Sequence, residues 1–222
     1  MTLQASGLAG GRGARTLFSG IGFEIEAGEA LRVEGRNGSG KTTLLRMVCG
    51  LVEPQAGEVR WRGQRVDAGV AAAAPWGARL LHIGHAAGIK DELSALENLR
   101  VAASLAGWPC SDTQARQALE AVGLRSRLGL PARSLSQGQR RRVQLARLAL
   151  PASADVLVLD EPFNALDAES SAWLSEALSR RLDEGAVLVY TTHQDQTLRC
   201  RRAHRVQLGR REPVAPMRAE AS

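Results

Sequence analysis

The chain has 222 residues, 44% hydrophobic and 23% charged, and a formal net charge of +6 carried almost wholly by arginine. That length suits one α/β domain, or a domain with a subdomain, and is enough to bury a proper core. Three scattered cysteines without a C-x-x-C pair argue against a disulfide framework or a zinc site and fit a reducing compartment. No signal peptide is visible and no apolar run approaches a membrane span, so any membrane role is expected to come through a partner.

In chain order, the glycine-rich stretch from Leu3 to Leu17 predicts an irregular strand pair, and Phe23 and Ile25 a further strand before Gly28. Ala30-Leu31-Arg32-Val33-Glu34 reads as a short strand. It leads into Gly35-Arg36-Asn37-Gly38-Ser39-Gly40-Lys41-Thr42, which spells G-x-x-x-x-G-K-T and is followed by Thr43. The glycines let backbone N–H groups turn inward around a polyphosphate. Lys41 sets a point charge on the β- and γ-phosphates, and the Thr42 hydroxyl can reach Mg²⁺. Lys41 is one of two lysines in an arginine-rich chain, which marks it as a chemical requirement. Leu44, Leu45, Val48 and Leu51 fall at helical spacing, so a helix N-terminus is expected to add its dipole to the phosphate site.

Val59 and Trp61 alternate with Arg60 and Arg62, and Gly63-Gln64 turns, which predicts a hairpin. Leu80-Leu81-His82-Ile83 predicts a buried strand. From about 86 to 150 the pattern becomes helical. Ser94-Ala95-Leu96-Glu97 is a capping box with Leu93, Leu96, Leu99 and Ala103 in a stripe, and Ser111-Asp112 opens another helix that Gly123 stops. Asp155 to Leu159 is an apolar run of parallel-strand type ending in Asp160-Glu161-Pro162. The first carboxylate there can hold Mg²⁺ through water and the second can orient or deprotonate an attacking water. A helix from about Ala168 to Asp183, a strand over Val187-Leu188-Val189-Tyr190 and a last strand near Val206 follow. The end, with Pro213 and Pro216, reads as a frayed tail. The clusters Arg140-Arg141-Arg142 and Arg199, Arg201, Arg202 are candidates for nucleic acid or an acidic membrane face, but read first as solvated helix faces.

Leu135-Ser136-Gln137-Gly138-Gln139 ahead of an arginine-rich helix resembles the signature motif L-S-x-G-Q of the ABC ATPases. A P-loop, this motif and the Asp160-Glu161 strand, in that order, are similar to that family over nearly the whole chain. Asn164-Ala165-Leu166-Asp167 resembles its D-loop, and His193 stands where the family keeps a switch histidine. The resemblance implies an α/β P-loop ABC ATPase fold: a RecA-like parallel-sheet core (1–85 and 151–210), an N-terminal antiparallel β part, an inserted helical subdomain (86–150) and a tail (211–222). It implies ATP and Mg²⁺ as ligands. Gly35, Arg36, Asn37, Gly38, Ser39, Gly40, Lys41, Thr42 and Thr43 would bind ATP. Ser136, Gly138 and Gln139 would bind it in trans across a head-to-tail dimer. Lys41, Glu161 as general base and His193 on the γ-phosphate would be catalytic, with Thr42, Asp160 and His85 at the metal.

Two departures stand out. Where the family has a glutamine before the helical insert, this chain has His85, after Ile83-Gly84, and histidine varies its charge near neutral pH. No aromatic stands where the family stacks adenine; Arg12, Arg15 and Phe18 are the alternatives. His82 and His85 are expected on opposite sides of a strand, against a shared metal. The segment Ile83-Gly84-His85 with Gly88 to Leu99 resembles the ATP-binding subunit family of the cytochrome c maturation system, the haem exporter. That resemblance implies an integral membrane partner, further cytochrome c maturation proteins and a place on the cytoplasmic face of the bacterial inner membrane. Nothing in these residues indicates a haem site. The motor of another ABC transporter shares the core motifs. A soluble nucleic-acid-associated ATPase fits less well without tandem domains or coiled coils, and no nucleic acid partner is expected.

Overall fold

A computed structural model describes residues 1–13, 15–66, 74–86, 88–108, 110–151, 154–194 and 196–209; for Arg12, Ala74 and Pro75 only the backbone is described. The tail from 211, with Pro213 and Pro216, lies outside the described residues.

Two sheets enclose one helix. β1 (Thr2–Arg12) and β2 (Arg15–Glu26) pair antiparallel through several bulges, and β4 (Ala56–Trp61) and β5 (Gln64–Val66) complete an antiparallel sheet in the order β2-β1-β4-β5. Phe23 and Ile25 therefore belong to β2 itself rather than to a separate strand. The β4–β5 turn sits at Arg62 and Gly63, both at positive φ, a two-residue turn whose twist suits flanking strands; Gln64 is already paired with Trp61.

The second sheet is parallel, in the order β6 (Leu80–Ile83), β7 (Val156–Leu159), β8 (Val187–Thr191), β3 (Glu29–Gly35), β9 (Arg202–Leu208). Its inner strands β7 and β8 are buried on both faces because both are covered, whereas the edge strand β9 is largely exposed. Val156, Val158, Val187 and Val189 face the antiparallel sheet, with α1 (Lys41–Val48) packed between through Leu44, Leu45, Met47 and Val48. Leu157, Leu159 and Leu188 face the other way, onto Leu174, Leu178 and Leu182 of α6 (Ala168–Asp183).

α1 is shorter than the spacing of Leu51 suggested. Cys49 caps it, Gly50 turns at φ 71, and Leu51 is left 54% exposed. The Trp76 indole N–H, from the short α2 (Ala74–Gly77), donates to the Cys49 carbonyl at 3.0 Å and closes that end.

Between β6 and β7 lie α3 (Ala95–Leu105), α4 (Asp112–Ala121) and α5 (Gln137–Leu145), packed on a core of their own through Leu99, Ala103, Leu119, Leu124 and Val143. Each begins with a reciprocal capping box: Ser94 with Glu97, Ser111 with Gln114, and Ser136 with Gln139. Such a cap satisfies two otherwise orphaned donors at a helix start, and replacing the serine by alanine costs about 1 kcal/mol.

Candidate active site

β3 delivers the chain into the phosphate loop, and the loop's glycines are required by geometry. Gly35 lies at φ 148, and a Cβ there would sit 2.6 Å from Ser39 Oγ. Gly40 lies at φ 102 against the Phe18 ring, where a Cβ would meet ring carbon at 2.8 Å. Lys41 Nζ donates to the Gly35 carbonyl at 2.8 Å, closing the loop on itself.

Five further side chains meet at the ends of β7 and β8. Thr42, in the first turn of α1, donates to Asp160 Oδ2 at 2.6 Å. Thr191 donates to Asp160 Oδ1 at 2.7 Å and accepts the Glu161 N–H at 2.8 Å. His193 Nε2 stands 3.1 Å from Glu161 Oε1. Asp160 is 3% exposed and Glu161 9%. Glu161 is one of a few non-glycine residues at positive φ, 50°, a conformation that costs an L-residue about 1–3 kcal/mol. Its Oε2 is buried without a partner, as is Ser39 Oγ.

These features fit a nucleotide with a divalent cation. Thr42 Oγ1 and the Asp160 carboxylate are hard oxygen donors held together, the donor set that Mg²⁺ takes. Two orphaned polar atoms, one in the loop and one on Glu161, stand where a phosphate or its attacking water would satisfy them.

Ser136, Gly138 and Gln139 lie at the N-terminus of α5. The Ser136 hydroxyl accepts the Gln139 N–H at 3.2 Å while Gln139 Oε1 accepts the Ser136 N–H at 2.9 Å, which leaves the hydroxyl proton to be donated outward. Among the described residues, no hydrogen bond joins these three to the P-loop of the same chain.

His85 is exposed beyond the end of β6, because the strand stops at Ile83. The alternation that set His82 and His85 on opposite sides does not extend that far. Both line one cleft of about 550 Å³, together with Thr42, Arg46, Asp160 and Ala102. Burial, helped by Arg147, pushes the His82 imidazole below its usual value. Among the described residues no group of three or more His, Cys, Asp or Glu could hold a metal ion. Phe18 is corrected as an adenine platform: it is 6% exposed and underpins Gly40. Arg15 is exposed, and the Arg12 side chain lies outside the description.

The arginine clusters are not bare solvated faces. Arg140 pairs with Asp91 at 2.7 Å, Arg199 with Glu176 at 2.8 Å, and Arg201 with Glu26 and Glu29. Arg141 is buried, its guanidinium given over to backbone carbonyls at the ends of β6 and β7. Sequence reading gave neither Thr191 nor Arg141 a role at this site; Arg141 entered only as one of the three arginines 140 to 142.

A family model described as ABC transporter matches residues 18–164. The cytochrome c biogenesis ATP-binding export protein CcmA of Nitrosospira multiformis is 42% identical over 93% of this chain and 98% of its own length. The protein of the same name from Aromatoleum aromaticum is 48% identical over 87% of this chain and 89% of its own. Among solved structures, an ABC transporter ATP-binding protein from Pyrococcus furiosus superposes with a TM-score of 0.77 at 26% identity, covering 92% of this chain and 97% of that one.

Proposed function

This chain belongs to the ABC transporter family of ATP-binding proteins, and we propose that it is the ATP-hydrolysing motor subunit of the cytochrome c biogenesis export system, the haem exporter. The relatives of that name support the export system, and the observation that carries the motor chemistry is the unbroken set of contacts from Thr42 through Asp160 and Thr191 to Glu161 and His193. It ties a phosphate loop to a carboxylate poised to take a proton.

In this reading the loop's N–H groups, from Gly35 to Thr43, and Lys41 hold the ATP phosphates. Thr42 and Asp160 would hold Mg²⁺, with His85 near through water; when bound, the cation neutralises charge on the phosphates. Glu161 accepts the proton of the attacking water, which a positioned general base accelerates by about 10²–10⁴-fold. His193, in contact with Glu161, orients that carboxylate and meets the γ-phosphate. Ser136, Gly138 and Gln139 of a second copy close the site from across a head-to-tail dimer, offering N–H groups at a helix N-terminus to the anion.

No helix among the described residues is long and apolar enough to cross a membrane. We propose that an integral membrane subunit holds the chain at the cytoplasmic face of the bacterial inner membrane. Its docking surface is the helical insert near residues 86–110, where Val101 and Leu105 of α3 present exposed apolar side chains. ATP turnover then drives release of a haem-loaded chaperone to the other maturation proteins. The core is residues 1–85 and 151–210, and 86–150 forms the insert that the membrane subunit grips.

The test is a deletion strain stained for covalent haem in membrane fractions. Loss of c-type bands with b-type cytochromes retained, rescued by the wild-type gene and not by Lys41→Ala, is expected. Normal c-type bands in a strain without a paralogue would leave only the motor of another ABC transporter.

A further inference from the structure

Arg141 is 7% exposed, and among the described residues no carboxylate is bonded to it. Its guanidinium instead donates to Gly84 O, Asp160 O and Glu161 O, each at 2.9 Å, to Gln144 Oε1 at 2.9 Å, and through Nε to Pro162 O at 3.4 Å. Three consecutive carbonyls, 160 to 162, converge on one side chain, and the chain curls to allow it at Glu161, where φ is 50. The N–H of Glu161 is bonded to Thr191 on the other side. Both peptide groups flanking the Glu161 Cα are thereby fixed, and with them the direction in which its carboxylate leaves the backbone. Arg141 also lies one helical turn beyond Gly138 on α5, so the guanidinium joins the helix that starts at Ser136 to the end of β7.

We propose that Arg141 is a positioning residue for hydrolysis, holding the Glu161 peptide in its left-handed conformation and linking that peptide to α5. The inference rests on Glu161 being the general base. A planar fork of five donors spans several carbonyls at once; the three donors of a lysine ammonium radiate from one point and do not. A neutral glutamine lacks both the reach and the charge. Displacement of a reacting group by about 1 Å lowers a rate by about 100-fold, so a freed Glu161 peptide is expected to act on turnover rather than on nucleotide affinity.

The experiment uses the full chain purified with its membrane subunit, carrying Arg141→Lys or Arg141→Gln, each alone and combined with Glu161→Gln. Alone, each is expected to lower kcat by about 100-fold with KM for ATP little changed and a cooperative thermal transition retained. In the Glu161→Gln background the same substitutions should lower the residual rate by less than a few-fold, because no base remains to be positioned. Equal losses in both backgrounds, a raised KM at unchanged kcat, or failure of both variants to fold would overturn the proposal. If Glu161→Gln by itself leaves turnover intact, the assignment of the base fails, a result distinct from any of these.

Discussion

Gly138 lies so close to the carbonyl oxygen of Ala165 that a Cβ at position 138 would sit 2.7 Å from it. The obstacle is backbone, and Ala165 is itself held at φ 62, so neither side yields cheaply. The helix start that would meet a partner's nucleotide is thus seated directly on the turn between Glu161 and Asp167. Gly138→Ala is expected to push the first turn of α5 off that seat, at about 1–3 kcal/mol of stability. Sedimentation with ATP in a Glu161→Gln background should show less dimer, and urea unfolding should report the loss.

Thr191 is fully buried and serves both carboxylate-bearing residues. Thr191→Val keeps the shape and removes the hydroxyl, leaving Asp160 Oδ1 and the Glu161 N–H each short of a partner. A buried group left unsatisfied costs about 1–3 kcal/mol. Thr191→Ser should restore most of it. Urea denaturation of the pair measures the difference, and equal stability of valine and serine variants would remove Thr191 from this role.

Glu29 sits at the end of β3 remote from the P-loop. Burial raises the pKa of its carboxyl, but the Glu26 N–H, His204 and Arg201 outweigh that and hold it at about 2, against an ordinary 4.5. A value lower folded than unfolded means that the contribution is complete above about pH 4.5 and is lost as pH falls toward 2. Glu29→Gln should therefore be less stable than wild type at pH 7, with the gap closing through that acid window. Denaturant titrations at stepped pH would reveal a constant gap if the charge did not matter.

Leu105 is 85% exposed on α3, and Val101 lies one turn away on the same helix. Leu105→Glu touches no core and is expected to change stability by less than about 0.5 kcal/mol. Co-purification with the membrane subunit should nevertheless fall. An unchanged yield of complex would move the docking surface elsewhere.

His85→Gln should keep ATP turnover and coupling, while His85→Ala should weaken Mg²⁺-dependent hydrolysis or its response to the membrane subunit. Steady-state rates with and without that subunit measure it. Wild-type behaviour of His85→Ala would reduce His85 to a spacer.

The P-loop and the Asp160-Glu161 pair were legible in the sequence because their chemistry demands particular residue types in contiguous runs. Arg141 was not. Three adjacent arginines look alike on paper, and the 100° step that separates them matters only once α5 is docked against the end of β7. Thr191 reads as the end of an ordinary apolar strand; its hydroxyl acts 31 residues back, on Asp160, beyond any local period. Phe18 reads the same whether it stacks on a base or supports Gly40, and only the ring's position against Gly40, where a Cβ would meet it, decides. Strand parity does not relate His85 to His82, because β6 ends at Ile83.

The left-handed backbone at Glu161 sets evolution of this protein toward robustness against evolution toward work. Glycine or asparagine relaxes at such a torsion, and glycine carries no Cβ penalty there. A library screened for heat resistance alone should accumulate Gly or Asn at position 161, and those survivors should no longer turn over ATP. Recovering glutamate there from a screen that rewards both traits would show selection retaining the strain for the sake of the carboxylate.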